Sequence, residues 1–356
     1  MQGHFDIVWL VGNVVPQIIE EDGFLKAKNS TLGADNGIAC AYMLKHMENG
    51  DDLEYLFTSD EEIGLIGANN VEFQLHSNFM LNIDSEDEGD ITIGCAGGVD
   101  IFAKNTNKNI FKNDKNLDLY EITISKLQGG HSGVEIHKEI PNGIKLIANT
   151  IKKCEGIILD INGGERINSI PANVKAIIAS KIKPTSSHDN MKVEKINSKS
   201  EHLNLYSNDI INFLYTFSNG VRAYDGKLGV VLNSINLAII KTNLNDIEIQ
   251  LSARSMDNKE LKRIVDETIT LLECFGFTVN TSGKYPAWKP EHNDFAEHLL
   301  DIYKKHIPSS SLEAIHAGLE CAIFKDKFPH LQIASIGPNI FSPHSYRESV
   351  EIAAVL

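Results

Sequence analysis

The sequence predicts an α/β protein with a mixed sheet covered by helices on both faces, interrupted by an inserted α+β unit. Three observations lead there. Short, nearly continuous apolar runs alternate with helical patterns in the first hundred residues, which is how strands buried on both faces read. The texture changes after Gly97-Gly98, where residues 103–116 turn rich in Asn and Lys and mark a boundary or loop. From Tyr285 the α/β texture returns. At 356 residues the chain is also too long for one ordinary core. We divide it at 1–98, 99–284 and 285–356, with the first and third segments forming one domain.

In order along the chain, residues 3–11 read as a strand within the apolar run from Phe5 to Val15. That run carries Asp6 and lacks a basic leader, so it reads as a buried strand and not a signal sequence. Ile38–Glu48 reads as a helix after a glycine-flanked turn, and Leu53–Thr58 and Phe79–Ile83 as short buried strands. The inserted block reads as strand Leu119–Ser125, helix Asn142–Lys153, strand Val174–Lys181, helix Asp209–Phe217, strand Asp246–Ser255 and helix Lys259–Phe275. Two strand–helix–strand halves suggest a small ferredoxin-like sheet with helices on one side. The polar segment 184–203 reads as a mobile connection. The last segment holds helix Phe295–His306 and strand Leu331–Ile336.

Composition narrows the function. A net charge of −15 argues against a nucleic-acid partner, because phosphate binding needs a basic face. No run approaches the roughly 18–20 apolar residues of a membrane span. Five scattered cysteines without a CxxC pair fit reduced thiols in a cytoplasmic protein better than a disulfide frame.

Five segments place carboxylate or imidazole groups at the end of an apolar strand or in a turn after one, where open α/β sheets bind ligands. They are Gly3-His4-Phe5-Asp6, Thr31 to Gly37 around Asp35, Ser59-Asp60-Glu61-Glu62, Leu81 to Glu86 around Asp84, and Phe341 to Ser345 around His344. Residues i and i+2 of a strand share a face, so Asp6 is placed to orient the His4 ring. Each segment also has an ordinary reading. Asp35 suits a helix N-cap, the acidic triplet suits a solvated turn, and single histidines are more often structural.

Ten motifs together resemble the aminoacyl-histidine (Xaa-His) dipeptidases, carnosinase-like members of the co-catalytic di-zinc carboxypeptidase and dipeptidase family. They are GHFD, TLGADNG, TSDEEIG, NIDSE, IGCAGG, LQGGHSGVEIH, NSIPAN, YPAWKP, IHAGLEC and SIGPNIFSPHS, and they cover nearly the whole chain. The resemblance implies a zinc-peptidase-like sheet with a lid or dimerisation-type insertion. It also implies two divalent ions, zinc or else cobalt or manganese, held by His4, Asp35, Glu62, Asp84 and His344, with Asp35 bridging. Asp6 would hold the His4 ring, and Glu61 would be the general base acting on a metal-bridging water. His131 would steady the oxyanion, within its own subunit or across a homodimer. Asn168 and Arg254 would bind the substrate end, although Arg254 reads equally as a surface ion pair. His316 and Glu320 of IHAGLEC are expected on a loop facing the cleft, where His316 is a substrate-binding candidate.

The implied activity is hydrolysis of dipeptides such as β-alanyl-histidine. An N-acyl amino acid amidohydrolase of the same family is the alternative, and YPAWKP and IHAGLEC favour the dipeptidase. Against the family pattern both ends read as truncated and the stretch from Asp6 to Asp35 as shortened, which keeps an inactive remnant open as a third reading.

Overall fold

Three short parallel strands, Gln2–His4, Leu56–Thr58 and Phe79–Asn82, lie side by side and end at the same edge of one sheet. The computed structural model describes residues 1–10, 15–106, 108–110, 117–197, 204–206, 208–243 and 245–355. The sheet runs Ser311–Ile315, Asp90–Cys95, Gln332–Ser335, Phe79–Asn82, Gln2–His4, Leu56–Thr58. Gln332–Ser335 is parallel to Phe79–Asn82 and antiparallel to Asp90–Cys95, so the sheet is mixed. Helix Ala34–Asn49 packs so closely on Gln2–His4 that a Cβ at Gly3 would meet the Ala39 Cβ at 2.5 Å.

Alternation along Gln332–Ser335 shows both faces covered. Ile333 enters a cluster with Met80, Trp288 and Phe324, and Ala334 enters another with Ile91, Ile93, Ala296 and Leu300. A separate antiparallel sheet runs Gln17–Glu21, Phe24–Lys28, Ser349–Glu351, Ile340–Phe341. Its first hairpin turns on Asp22-Gly23, both at positive φ as a two-residue hairpin turn requires.

The chain divides into two compact units, Met1–Ala96 with Tyr285–Leu356, and Gly97–Lys284. The second holds a nine-stranded sheet and helices Gly143–Lys153, Asn208–Thr216 and Asn258–Cys274. Their apolar residues, among them Ile147, Ile151, Phe213 and Ile264, share one core with Ile122, Ile249 and Leu251 of the strands. The sheet is larger than the small one the sequence suggested, because Gly97–Asn105, Ile157–Gly163, Val230–Thr242 and Thr278–Tyr285 also join it.

Three sequence readings are corrected. The strand proposed over 3–11 stops at His4. Phe5 and Trp9 are 60% and 48% exposed, and residues 11–14 lie outside the described residues. A largely apolar run does not say how much of it pairs, and the Phe5 N–H bond to the Thr58 carbonyl is the last before the chain leaves the sheet. Within the polar segment 184–203, Met191–Ile196 is an edge strand in register with Asp118–Ile124. Met191 points inward while Lys192 and Glu194 face solvent, the composition that protects an edge. Residues 198–203 lie outside the described residues. Finally, the strand Gly97–Asn105 runs through the start of the segment read as a boundary. All five cysteines are free, and among the described residues no helix is long and apolar enough to cross a membrane.

Asn142 makes a testable stability contribution. Its Oδ1 accepts from the Ile144 and Lys145 N–H groups at the start of Gly143–Lys153, and its Nδ2 donates to the Leu237 carbonyl. Asn142→Ala removes the cap and leaves a buried carbonyl unpaired, so a loss of about 1–3 kcal/mol is expected in urea denaturation. An unchanged midpoint contradicts this account.

Candidate metal centre

His4 closes the Gln2–His4 strand, which lies between Leu56–Thr58 and Phe79–Asn82, and is 1% exposed. Its Nδ1 lies 3.0 Å from the Asp6 backbone oxygen and 3.5 Å from the Asp6 carboxylate. That fixes the ring and turns Nε2 toward three acids: Asp35 Oδ1 at 3.1 Å, Asp84 Oδ1 at 3.3 Å and Glu61 Oε2 at 4.0 Å. The Asp6 carboxylate also accepts the Glu61 and Glu62 backbone N–H groups at 3.2 and 3.1 Å. One residue thus steadies both the first imidazole and the turn bearing two acids.

Asp35 sits where helix Ala34–Asn49 has not yet begun to wind. Asp35 and Asn36 have non-helical angles, and the capping position is Gly33 at φ 72°, without a side-chain cap. The N-cap reading of Asp35 does not hold. Gly33 is needed there, since a Cβ would meet Ile7 at 2.9 Å in a backbone region that L residues avoid. Asn36 fastens the loop to both neighbouring strands. Its Oδ1 accepts the His4 N–H at 3.2 Å and its Nδ2 donates to the Ile83 carbonyl, one residue before Asp84.

The other carboxylate oxygen of Asp35 faces the second imidazole. His344 Nε2 lies 3.0 Å from Asp35 Oδ2 and 2.9 Å from Glu62 Oε1. Glu62 Oε1 is buried yet makes no hydrogen bond even at that distance, so acid and imidazole aim at a common point and not along a donor–acceptor line. Of the acidic triplet, only Asp60 is a solvated turn residue.

The electrostatics follow from crowding. Burial would lower the His4 pKa, but hydrogen bonds with Asp35 and Asp84 reverse this and raise it well above the ordinary value. The bond to Asp35 and the negative charge of Glu62 beside it raise His344 to about 10. Burial alone would raise Asp35, yet the two imidazoles hold it below the carboxylate range. Burial pushes Glu61 well up, with the charge of Asp84 adding to it, and raises Asp84 to about 6. With only each other as partners, the imidazoles become the cations that balance the acids. A divalent cation competes for the same lone pairs.

Nitrogen and carboxylate donors fit such an ion. Among the described residues, three groupings have ligand atoms within 4.8 Å of one another: His4, Asp35, Asp84; Asp35, Glu62, His344; and His4, Glu61, Glu62. The first two share Asp35 and no other residue. Imidazole with carboxylate oxygen suits zinc, cobalt or manganese.

The remaining sequence candidates lie elsewhere. His316 follows the Ser311–Ile315 strand and is buried. His131, Asn168 and Arg254 belong to the Gly97–Lys284 unit. There the Asn168 carbonyl accepts the Ser132 N–H at 2.8 Å and His131 pairs with Ser169, so two of the three lie on adjacent bridged segments. Arg254 is 8% exposed on the Ile247–Ser255 strand, which overturns the surface ion pair.

Sequence reading passed over three supporting groups. Asn36, within TLGADNG, carries no local signal of its bonds to His4 and Ile83. Glu320 was expected on a loop facing the cleft. It instead opens helix Glu320–Lys327, fully buried, and accepts from Gln2 Nε2 and Thr58 Oγ1 at 2.5 and 2.6 Å. Glu348, four residues beyond His344, accepts backbone N–H groups of the Asp35 loop. Spacing from His344 was the only available signal.

No family model matches the chain. It is similar to the cytosol non-specific dipeptidase of Escherichia coli, 32% identical over 399 aligned positions that cover all of this chain and 82% of that protein. The crystal structure of the aminoacylhistidine dipeptidase from Vibrio alginolyticus matches at TM-score 0.81 and 27% identity, covering 99% of this chain and 81% of that one. The aminopeptidase PepT of Bacillus cereus shares the fold at TM-score 0.55 and 14% identity, covering 99% and 76%. An identity of that extent settles the matter: the chain belongs to the metallopeptidase family of the cytosol non-specific and aminoacylhistidine dipeptidases.

Proposed function

We propose that this chain is a cytoplasmic two-metal dipeptidase that hydrolyses Xaa-His dipeptides such as β-alanyl-histidine. The observation that carries this reading is the division of Asp35, whose two oxygens face two different histidines, each with an acid of its own. The similarity to an aminoacylhistidine dipeptidase supports the Xaa-His preference.

His4 and Asp84 would hold one divalent ion and His344 and Glu62 the other, with Asp35 common to both groupings and zinc the proposed metal. When bound, such a pair polarises a scissile carbonyl and makes water acidic enough to attack at neutral pH. Glu61 stands beside both groupings without belonging to either Asp35-sharing set. Burial and neighbouring acids give its carboxylate a high proton affinity, which suits a base that takes a proton from the attacking water and passes it to the leaving amine. Asp6 keeps Glu61 in place through its backbone N–H and orients the His4 ring. His131 donates to the developing oxyanion, and Asn168, Arg254 and His316 bind the substrate ends, the guanidinium suiting a terminal carboxylate. A homodimer is the proposed assembly.

Three measurements test this reading. The first is metal content of the purified chain together with β-alanyl-histidine hydrolysis before and after chelation. Two ions and chelator-sensitive turnover are expected. Metal-independent turnover, or preference for an N-acyl amino acid, refutes it. Second, Glu61→Ala should lower kcat by about 10²–10⁴-fold while both ions stay bound. Equal loss of metal makes Glu61 a ligand. Third, chelation should lower the melting temperature, because an ion present at a thousandfold its Kd contributes about 4 kcal/mol to the folded state. An unchanged melting curve speaks against ions at these residues.

A further inference from the structure

Glu348 lies outside both ligand groupings, yet it is a charged side chain only 3% exposed. A buried carboxylate needs donors, and all of these come from one turn of backbone. Its Oε2 accepts the Leu32 and Gly33 N–H groups at 2.8 and 3.1 Å, and its Oε1 accepts those of Ala34 and Asp35 at 2.8 and 3.5 Å. Successive N–H groups converging on one anion form a nest, and this nest is filled by the protein's own side chain. The turn it grips ends at Asp35.

The other end of the arrangement matters equally. Glu348 is four residues from His344 and next to the Ser349–Glu351 strand, which pairs with Phe24–Lys28 and Ile340–Phe341. Leu32, Ala34, Ile340 and Val350 pack in one small core at this place. One short stretch of chain therefore carries a second-ion ligand and the anchor of the carboxylate shared by both ions.

We infer that Glu348 is the positioning residue that presets Asp35 between its two histidines and thereby couples the two metal positions. This rests on the two-metal reading. A ligand such as Asp84 serves one ion, whereas Glu348, acting through Asp35, serves both. Glutamine in its place puts an amide donor against N–H donors and removes the charge. Aspartate keeps the charge on a stem one methylene shorter.

The test is calorimetric titration of the metal-free chain with zinc, for the wild type, Glu348→Gln, Glu348→Asp and Asp84→Asn. Both affinities should fall by about 10–100-fold in Glu348→Gln, the usual effect of losing support behind a ligand, with a smaller loss in Glu348→Asp. Asp84→Asn should weaken one site much more than the other. Wild type with two sites but Glu348→Gln unchanged, or weakened only at the His344 site, overturns the inference and leaves the two-metal reading intact. Wild type without two sites overturns that reading itself. Amide exchange in the metal-free wild type supplies a check that needs no variant. The Leu32, Gly33 and Ala34 amides should be protected before metal arrives, and free exchange in the folded chain refutes presetting.

Discussion

Everything in the Met1–Ala96 and Tyr285–Leu356 unit is arranged around the repulsion of acids brought together at one end of three strands. Asp35, Glu61, Glu62 and Asp84 all lie within reach of two imidazole nitrogens. Such a gathering is unfavourable unless positive charge is shared among its members, and Asp35 does the sharing because each of its oxygens has its own histidine. The supporting contacts follow from that requirement. Asp6, Asn36 and Glu348 hold backbone in place, so the acids cannot relieve repulsion by swinging apart.

The sheet beneath is polar in an ordered way. Each of its six strands contributes a side chain to one hydrogen-bonded row that crosses it in strand order: Glu313, Thr92, Ser335, Asn82, Gln2 and Thr58. Thr92 donates to Glu313, Ser85 joins Thr92 to Ser335, Ser335 donates to Asn82, Asn82 to Gln2, and Gln2 and Thr58 both meet Glu320. Gln2 and Asn82 each precede a proposed ligand by two residues, so they sit on the same face one step deeper. Burial raises both terminal carboxyls to about 7. Side-chain bonds that cross every strand favour one register, although Glu320 Oε1 at the end of the row is buried without a hydrogen-bond partner.

How much of this could be read from the sequence differs by level. The proposed ligands were legible because acids at strand ends are conspicuous against apolar runs, and motif resemblance fixed their order. Helix and strand centres were legible from periodicity. Strand lengths were not, since the Phe5–Val15 run is mostly apolar and only pairing with Leu56–Thr58 decides where the strand stops. Met191–Ile196 was hidden because an edge strand shows solvent the residues a loop would. Glu348 and Glu320 were hidden for a different reason. Their partners are backbone N–H groups and amide or hydroxyl side chains far away in the chain, which leave no local pattern.

That distance bears on how the site comes into being. The bond from the Leu32 N–H to Glu348 joins residues 316 apart, and the one from Gln2 to Glu320 joins residues 318 apart. Between them lies a whole unit with its own core. Local elements such as helix Ala34–Asn49 can form early, but contacts of such separation close only after large loop entropy is lost. The grip of Glu348 on the Asp35 turn therefore forms only when the last segment docks. His344 and Glu348 arrive on that same segment, so the second imidazole and the backbone grip on the Asp35 turn enter the site together.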